Sequence, residues 1–190
     1  MVGVSGYVLA GGQSSRMGKD KAVLDLGGQT MVERAADALS GIAEIVKIVG
    51  LRSEYSGPLA VIPDAFDGRG SVVGLFTALV DCTTEYAAVL ACDLPFAGGD
   101  LLTELVGSIG DYDAVIPEQS DGRIQPLCAV YRTTTCRPAV ESIMNSPNWR
   151  LQALANRLNV RIIIPNGDRW HTNVNTPTEL QAAIEMAEKG

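Results

Sequence analysis

Apolar residues along this chain gather in short runs, separated by longer stretches in which apolar positions recur with a helical period. The runs are GYVLA (6–10), EIVKIVG (44–50), LAVIP (59–63), YAAVLACD (86–93) and YDAVIP (112–117), and between them lie TMVERAADALSGI (30–42) and GLFTALVDC (74–82). Such alternation predicts parallel strands joined by crossover helices. The runs are apolar at consecutive positions rather than at every second one, which predicts a central sheet covered on both faces. One helix should start at Thr30, whose hydroxyl can cap it with Glu33 three residues on. Another should start at Pro177, with Thr176 before it, and run to about Glu188. After Pro117 the pattern changes, and EQSDGRIQPLCAVYR reads as an antiparallel hairpin turning at SDGR. The fold class is therefore α/β, a single-domain three-layer sandwich with a mostly parallel mixed sheet. No repeat, low-complexity tract or linker marks a boundary within residues 1–190.

Composition narrows the possible partners. A chain of 190 residues that is 46% hydrophobic is long enough for one well-buried core. Its formal net charge of −7 argues against broad electrostatic binding to nucleic acid or to an anionic membrane, so any polyanion must be met locally. No apolar run approaches the ~20 residues of a membrane span. The start, MVGVSGYVLAGG, has neither a basic leader region nor a cleavage site, and the chain reads as cytoplasmic and unprocessed. Cys82, Cys92, Cys128 and Cys136 form no CxxC pair and read as reduced and structural. With His171 they make no zinc pattern.

In a doubly wound sheet, ligands collect at the carboxyl ends of the strands. The first strand ends in LAGGQSSRMGKDK (9–21), where Gly11 and Gly12 remove side chains that would block a ligand and three cations follow. Exposed backbone N–H groups followed by positive charge form an anion cradle, and phosphate is its natural guest. The spacing is not that of a P-loop, because Gln13 stands where that loop needs glycine and Asp20 follows Lys19 where Ser or Thr is required. A GxGxxG fingerprint and a GxSxG elbow are both absent, which disfavours a nicotinamide oxidoreductase and a serine hydrolase. Two other strand ends carry carboxylates, Asp64 in VIPDAF and Asp93 in VLACDLPF. Magnesium is held by one or two carboxylates plus substrate phosphates, so one well-placed Asp suffices. His171 reads as a surface or edge residue outside the chemistry.

Taken in order, VLAGGQSSRMGKDK, PD at 63–64, ACDLPF at 91–96, QPLCAVY at 125–131 and NVNTPTEL at 173–180 resemble the molybdenum cofactor guanylyltransferases, the MobA-like branch of the nucleotidyltransferases. The resemblance spans nearly the whole chain and implies the Rossmann-type nucleotidyltransferase fold, as in nucleotide-diphospho-sugar transferases. LAGG rather than LAAG at 9–12 favours the guanylyl branch. The implied reaction is transfer of GMP from GTP to the terminal phosphate of molybdopterin, or of its molybdenum-loaded form, with release of pyrophosphate.

The resemblance also implies roles for particular residues. Leu9, Ala10, Gly11 and Gly12 line the nucleotide, Arg16 and Lys21 carry charge to its phosphates, Asp64 contacts it, and Asp93 holds Mg²⁺. Asn173 and Asn175 face the acceptor, and Lys19 is as readily a solvated surface lysine. The N-terminal half would then bind nucleotide and the C-terminal half the acceptor. GTP, molybdopterin and cofactor-delivering proteins are the partner classes implied. A cytidylyltransferase for the same pterin, another small-molecule nucleotidyltransferase and a catalytically silent nucleotide-binding module remain open at this level.

Overall fold

The computed structural model describes residues 3–11, 20–66, 70–146 and 149–188. Its strands are β1 (Val4–Leu9), β2 (Ile45–Val49), β3 (Ala60–Ile62), β4 (Tyr86–Ala91), β5 (Ala114–Pro117), β6 (Cys128–Arg132) and β7 (Val160–Ile163). The helices are α1 (Met31–Ser40), α2 (Ser71–Asp81), α3 (Gly99–Gly107), α4 (Thr133–Met144) and α5 (Pro177–Glu188). The strands form one seven-stranded sheet in the order β3-β2-β1-β4-β6-β5-β7. Only β6 runs against its neighbours, antiparallel to both β4 and β5. The register aligns Leu9 with Val49 on one side and Ala91 on the other, and Val49 with Ile62. The carboxyl ends of β1 to β4 therefore share one edge.

Continuous apolar runs give the two central strands, because β1 and β4 are buried at every position. Successive residues serve opposite layers. Val8, Ala88, Leu90 and Val130 pack with Ala35 and Leu39 of α1 and Leu102 and Leu105 of α3. Tyr7, Ala87, Val89 and Tyr131 pack with Leu75 and Leu79 of α2 and Val140 and Ile143 of α4. At the sheet's edges the pattern lapses, and β3 and β7 keep exposed positions, Val61 and Ile162 among them.

Both helix starts behave as expected. Thr30 Oγ1 accepts from Glu33 N at 3.3 Å while Glu33 Oε2 accepts from Thr30 N at 2.8 Å, a reciprocal capping box. At α5, Glu179 N donates to Thr176 Oγ1 at 3.2 Å. The hairpin also forms: Gln119 N donates to Arg123 O across the turn, with Gly122 at φ 82°. Three elements lay outside the sequence reading. Helix α4 carries Pro138 in its interior, which normally breaks a helix. It is held by burial of Thr133, Cys136, Val140 and Ile143 on one stripe. Helix α3 begins among glycines, and β7 is a half-exposed edge strand. All four cysteines are free and buried. Among the described residues no helix is long and apolar enough to cross a membrane.

Candidate active site

The edge at the ends of β1 and β4 is where the strand order turns, since β1 leads outward to β2 and β3 and β4 leads the other way. The backbone beyond the strands stays tied there. Ala10 N donates to Val49 O at 2.9 Å, Cys92 N to Leu9 O at 3.1 Å, and Gly50 N to Ile62 O at 2.9 Å. Leu9, Ala10 and Gly11 thus emerge between the ends of β2 and β4. Gly12 and Arg16, together with Lys19, lie outside the described residues.

The chain re-enters at Asp20, whose carboxylate accepts from Ala22 N at 3.1 Å and from Ser53 Oγ at 3.0 Å. This caps a single helical turn at Lys21–Val23 and aims the Lys21 side chain back across the edge. Lys21 Nζ donates to Asp93 Oδ2 at 2.6 Å and to Asn175 Oδ1 at 3.1 Å. Three segments far apart in sequence meet at one ammonium group. The Lys21 and Asp93 side chains are only 15% and 21% exposed, so solvent screens the pair less than it would a surface pair. Asp93 O accepts from Val174 N at 3.0 Å, which ties the turn after β4 to the segment entering α5. Asn175 is fixed in turn by its own N–H, which donates to Glu179 Oε2 at 2.7 Å.

A second carboxylate sits on the other flank of β1. A Cβ placed on Gly50 would lie 2.8 Å from Asp64 Oδ1 and one on Gly11 3.4 Å from Asp64 Oδ2. Gly50 also has φ 71°, a conformation other residues rarely adopt. Two glycines therefore let the Asp64 carboxylate settle against the ends of β1 and β2. Burial raises its pKa, and the nearby Arg52 opposes the shift.

Of the residues singled out by sequence, Lys21, Asp93 and Asn175 are brought into contact, and Asp64 is brought to Gly11. Asn173 is exposed and donates to His171 O at 3.3 Å. It is not joined to the Lys21 contact. His171 pairs with Asp168 at 3.3 Å and lies edge-on to Trp170. Cys92, adjacent to Asp93, is 1% exposed, and burial pushes its thiol up to about 12, so it offers no thiolate nucleophile at neutral pH. Sequence reasoning missed Asp20 as a cap, Ser53 as its partner and Gly50 as the seat for Asp64. The signal for Gly50 is its place immediately after an apolar run, the same place Gly11 occupies.

The profile of the MobA-like NTP transferase domain matches residues 6–161. This chain belongs to the MobA-like NTP transferase family. It is 36% identical to the molybdenum cofactor guanylyltransferase of Desulfosudis oleivorans, over 100% of this chain and 98% of that protein. Among solved structures it is similar to molybdopterin-guanine dinucleotide biosynthesis protein A of Archaeoglobus fulgidus. That likeness has a TM-score of 0.80 at 25% identity and covers 98% and 100% of the two chains. The 4-diphosphocytidyl-2C-methyl-D-erythritol synthase of Anaerococcus prevotii shares the fold, with a TM-score of 0.74 at 13% identity over 98% and 99%. In this MobA-like NTP transferase, then, the end of β1 lies between two carboxylates, Asp93 paired with Lys21 and Asp64 held against Gly11 and Gly50. Such an edge can admit a nucleotide along the backbone and meet its phosphates with charge.

Proposed function

We propose that the chain transfers GMP from GTP to the terminal phosphate of molybdopterin, bare or molybdenum-loaded, and releases pyrophosphate. One observation carries this reading: Lys21, Asp93 and Asn175 converge next to the end of β1, where Cys92 N donates to Leu9 O. They do so in a chain whose full-length relative is named for guanylyl transfer to this cofactor. In the reaction an acceptor phosphate oxygen bonds to the α-phosphorus of GTP as the bond to the bridging oxygen breaks, and pyrophosphate keeps that electron pair. Both reactants are polyanions, so the task is alignment and neutralisation, and no protein nucleophile is needed.

Under this reading Leu9, Ala10, Gly11 and Gly12 run along the nucleotide, and Asp64 contacts it. Lys21 acts as a point charge on the phosphates, and Arg16 forks onto their oxygens. Asn173 and Asn175 face the acceptor, so the C-terminal half completes a site begun by the N-terminal half. Magnesium suits the donor set, because Asp93 and Asn175 already direct one carboxylate and one amide oxygen at a single cation, the Lys21 ammonium. An ion of this kind would share its shell with substrate phosphates rather than take all its ligands from the protein. When bound, it would supply Lewis-acid neutralisation of those phosphates.

Thermal unfolding tests the choice of nucleotide. GTP with Mg²⁺ should raise the melting temperature more than CTP at equal concentration, a ligand at 100 times its Kd being worth about 2.7 kcal/mol. An equal or larger shift with CTP would move the assignment to a cytidylyl transfer.

A further inference from the structure

We propose that the Lys21 ammonium is a built-in counter-ion, occupying the cation position between Asp93 and Asn175 until nucleotide arrives, so that the site takes a divalent metal together with the nucleotide and not before it. The proposal rests on the reading that Asp93 is the metal ligand.

The geometry separates fixed parts from a movable one. Asp93 is held through its carbonyl by Val174 N at 3.0 Å, and Asn175 through its N–H by Glu179 Oε2 at 2.7 Å. These bonds anchor the backbone from which the Asp93 and Asn175 side-chain oxygens both reach the Lys21 ammonium. Lys21 meets those oxygens on a flexible four-carbon stem, from a turn pinned by the Asp20 cap and its bond to Ser53. With Lys21 Nζ at 2.6 Å and 3.1 Å from the two oxygens, a second cation cannot share them without close like-charge repulsion. A triphosphate removes the obstacle by offering the ammonium another set of anionic oxygens. Lys21 then exchanges a carboxylate for phosphate and stays paired in both states, which avoids leaving a largely buried charge alone. The same side chain that neutralises the nucleotide thus uncovers the metal's protein ligands.

Mn²⁺ is the probe, titrated against nucleotide-free protein and followed by its electron paramagnetic resonance signal and by broadening of the Val174 amide. Wild type should bind it weakly. Lys21→Met and Lys21→Gln, both checked for folding by their melting curves, should bind it more tightly by about 10–10²-fold, since a unit charge at this range moves a carboxylate's cation affinity by one or more decades. Adding Asp93→Asn to Lys21→Met should abolish the gain. No tighter binding in either folded variant overturns the counter-ion role while leaving the catalytic reading standing. A gain that survives Asp93→Asn overturns both. Should the variants fail to fold, wild type alone decides. Broadening of the Val174 amide without GTP, at the Mn²⁺ concentration that broadens it with GTP, contradicts the proposal, and its absence supports it.

Discussion

Replacing Gly50 by alanine isolates what seats Asp64 against the candidate site. Two penalties apply at that position. The first is conformational, because φ at 71° lies in the left-handed region, where a Cβ costs roughly 1–2 kcal/mol. The second is a collision: the new Cβ would stand 2.8 Å from Asp64 Oδ1, 3.0 Å from Oδ2 and 3.1 Å from the carboxyl carbon. Either the carboxylate leaves its seat or the ends of β2 and β3 part, and overpacking of this kind costs about 1–3 kcal/mol. In the wild-type background Gly50→Ala should therefore destabilise by roughly 2–5 kcal/mol. In an Asp64→Ala background the collision partner is gone and only the conformational part, about 1–2 kcal/mol, should remain. Urea denaturation of all four proteins gives the coupling energy from the double-mutant cycle. Where Gly50→Ala still folds, KM for GTP should rise more than kcat falls. Equal penalties in the two backgrounds would show that Asp64 does not depend on Gly50 and would refute the seat.

Other consequences are open to direct measurement. Asp93→Ala should abolish metal-dependent turnover while keeping a cooperative unfolding transition, and full activity would remove Asp93 from the site. Lys21→Met should lower the rate by about 10²–10³, as loss of a preorganised donor does elsewhere, and unchanged kcat and KM in a folded protein would contradict a phosphate role. Thr30→Ala removes half of the α1 capping box and should cost about 1 kcal/mol in denaturant titration, whereas no change would show the cap idle. Asp64 has a pKa raised by burial, so in the folded state its charged form is disfavoured and wild type loses stability as pH rises from its ordinary value of 3.8 through the raised one. The stability of Asp64→Asn relative to wild type should therefore improve over that window, and a pH-independent difference would deny the burial effect.

What could be read in advance followed from how strongly each element depends on its own residues. Strands β1 and β4 are buried on both faces, so their C-terminal portions are continuous apolar runs and their ends, with Gly11 and Asp93, were evident. The capping box at Thr30 and the threonine and proline opening α5 are local chemistry written in adjacent letters. Helix α4 was hidden because Pro138 and a run of threonines oppose helix, and tertiary burial of Cys136, Val140 and Ile143 overrides them. Strand β7 was hidden because an edge strand needs only one buried face, and in VRII only Ile163 is buried while Arg161 and Ile162 are exposed. At the site, Lys21 and Asp93 were recognised as residues that matter, but their contact was not, since 72 residues separate them and pairing belongs to topology. Gly50 acquires its meaning only when β3 delivers Asp64 beside it.

The most direct test of guanylyl transfer is the mass of the product. The protein should be incubated with Mg²⁺, molybdopterin and each ribonucleoside triphosphate in turn, with pyrophosphate measured alongside. The account predicts that GTP alone yields a species heavier than the acceptor by one GMP unit, with one pyrophosphate released per product, and that Asp93→Ala yields none. A cytidylyl adduct in preference to the guanylyl one, or no adduct from any nucleotide under conditions where GTP binds, would contradict it.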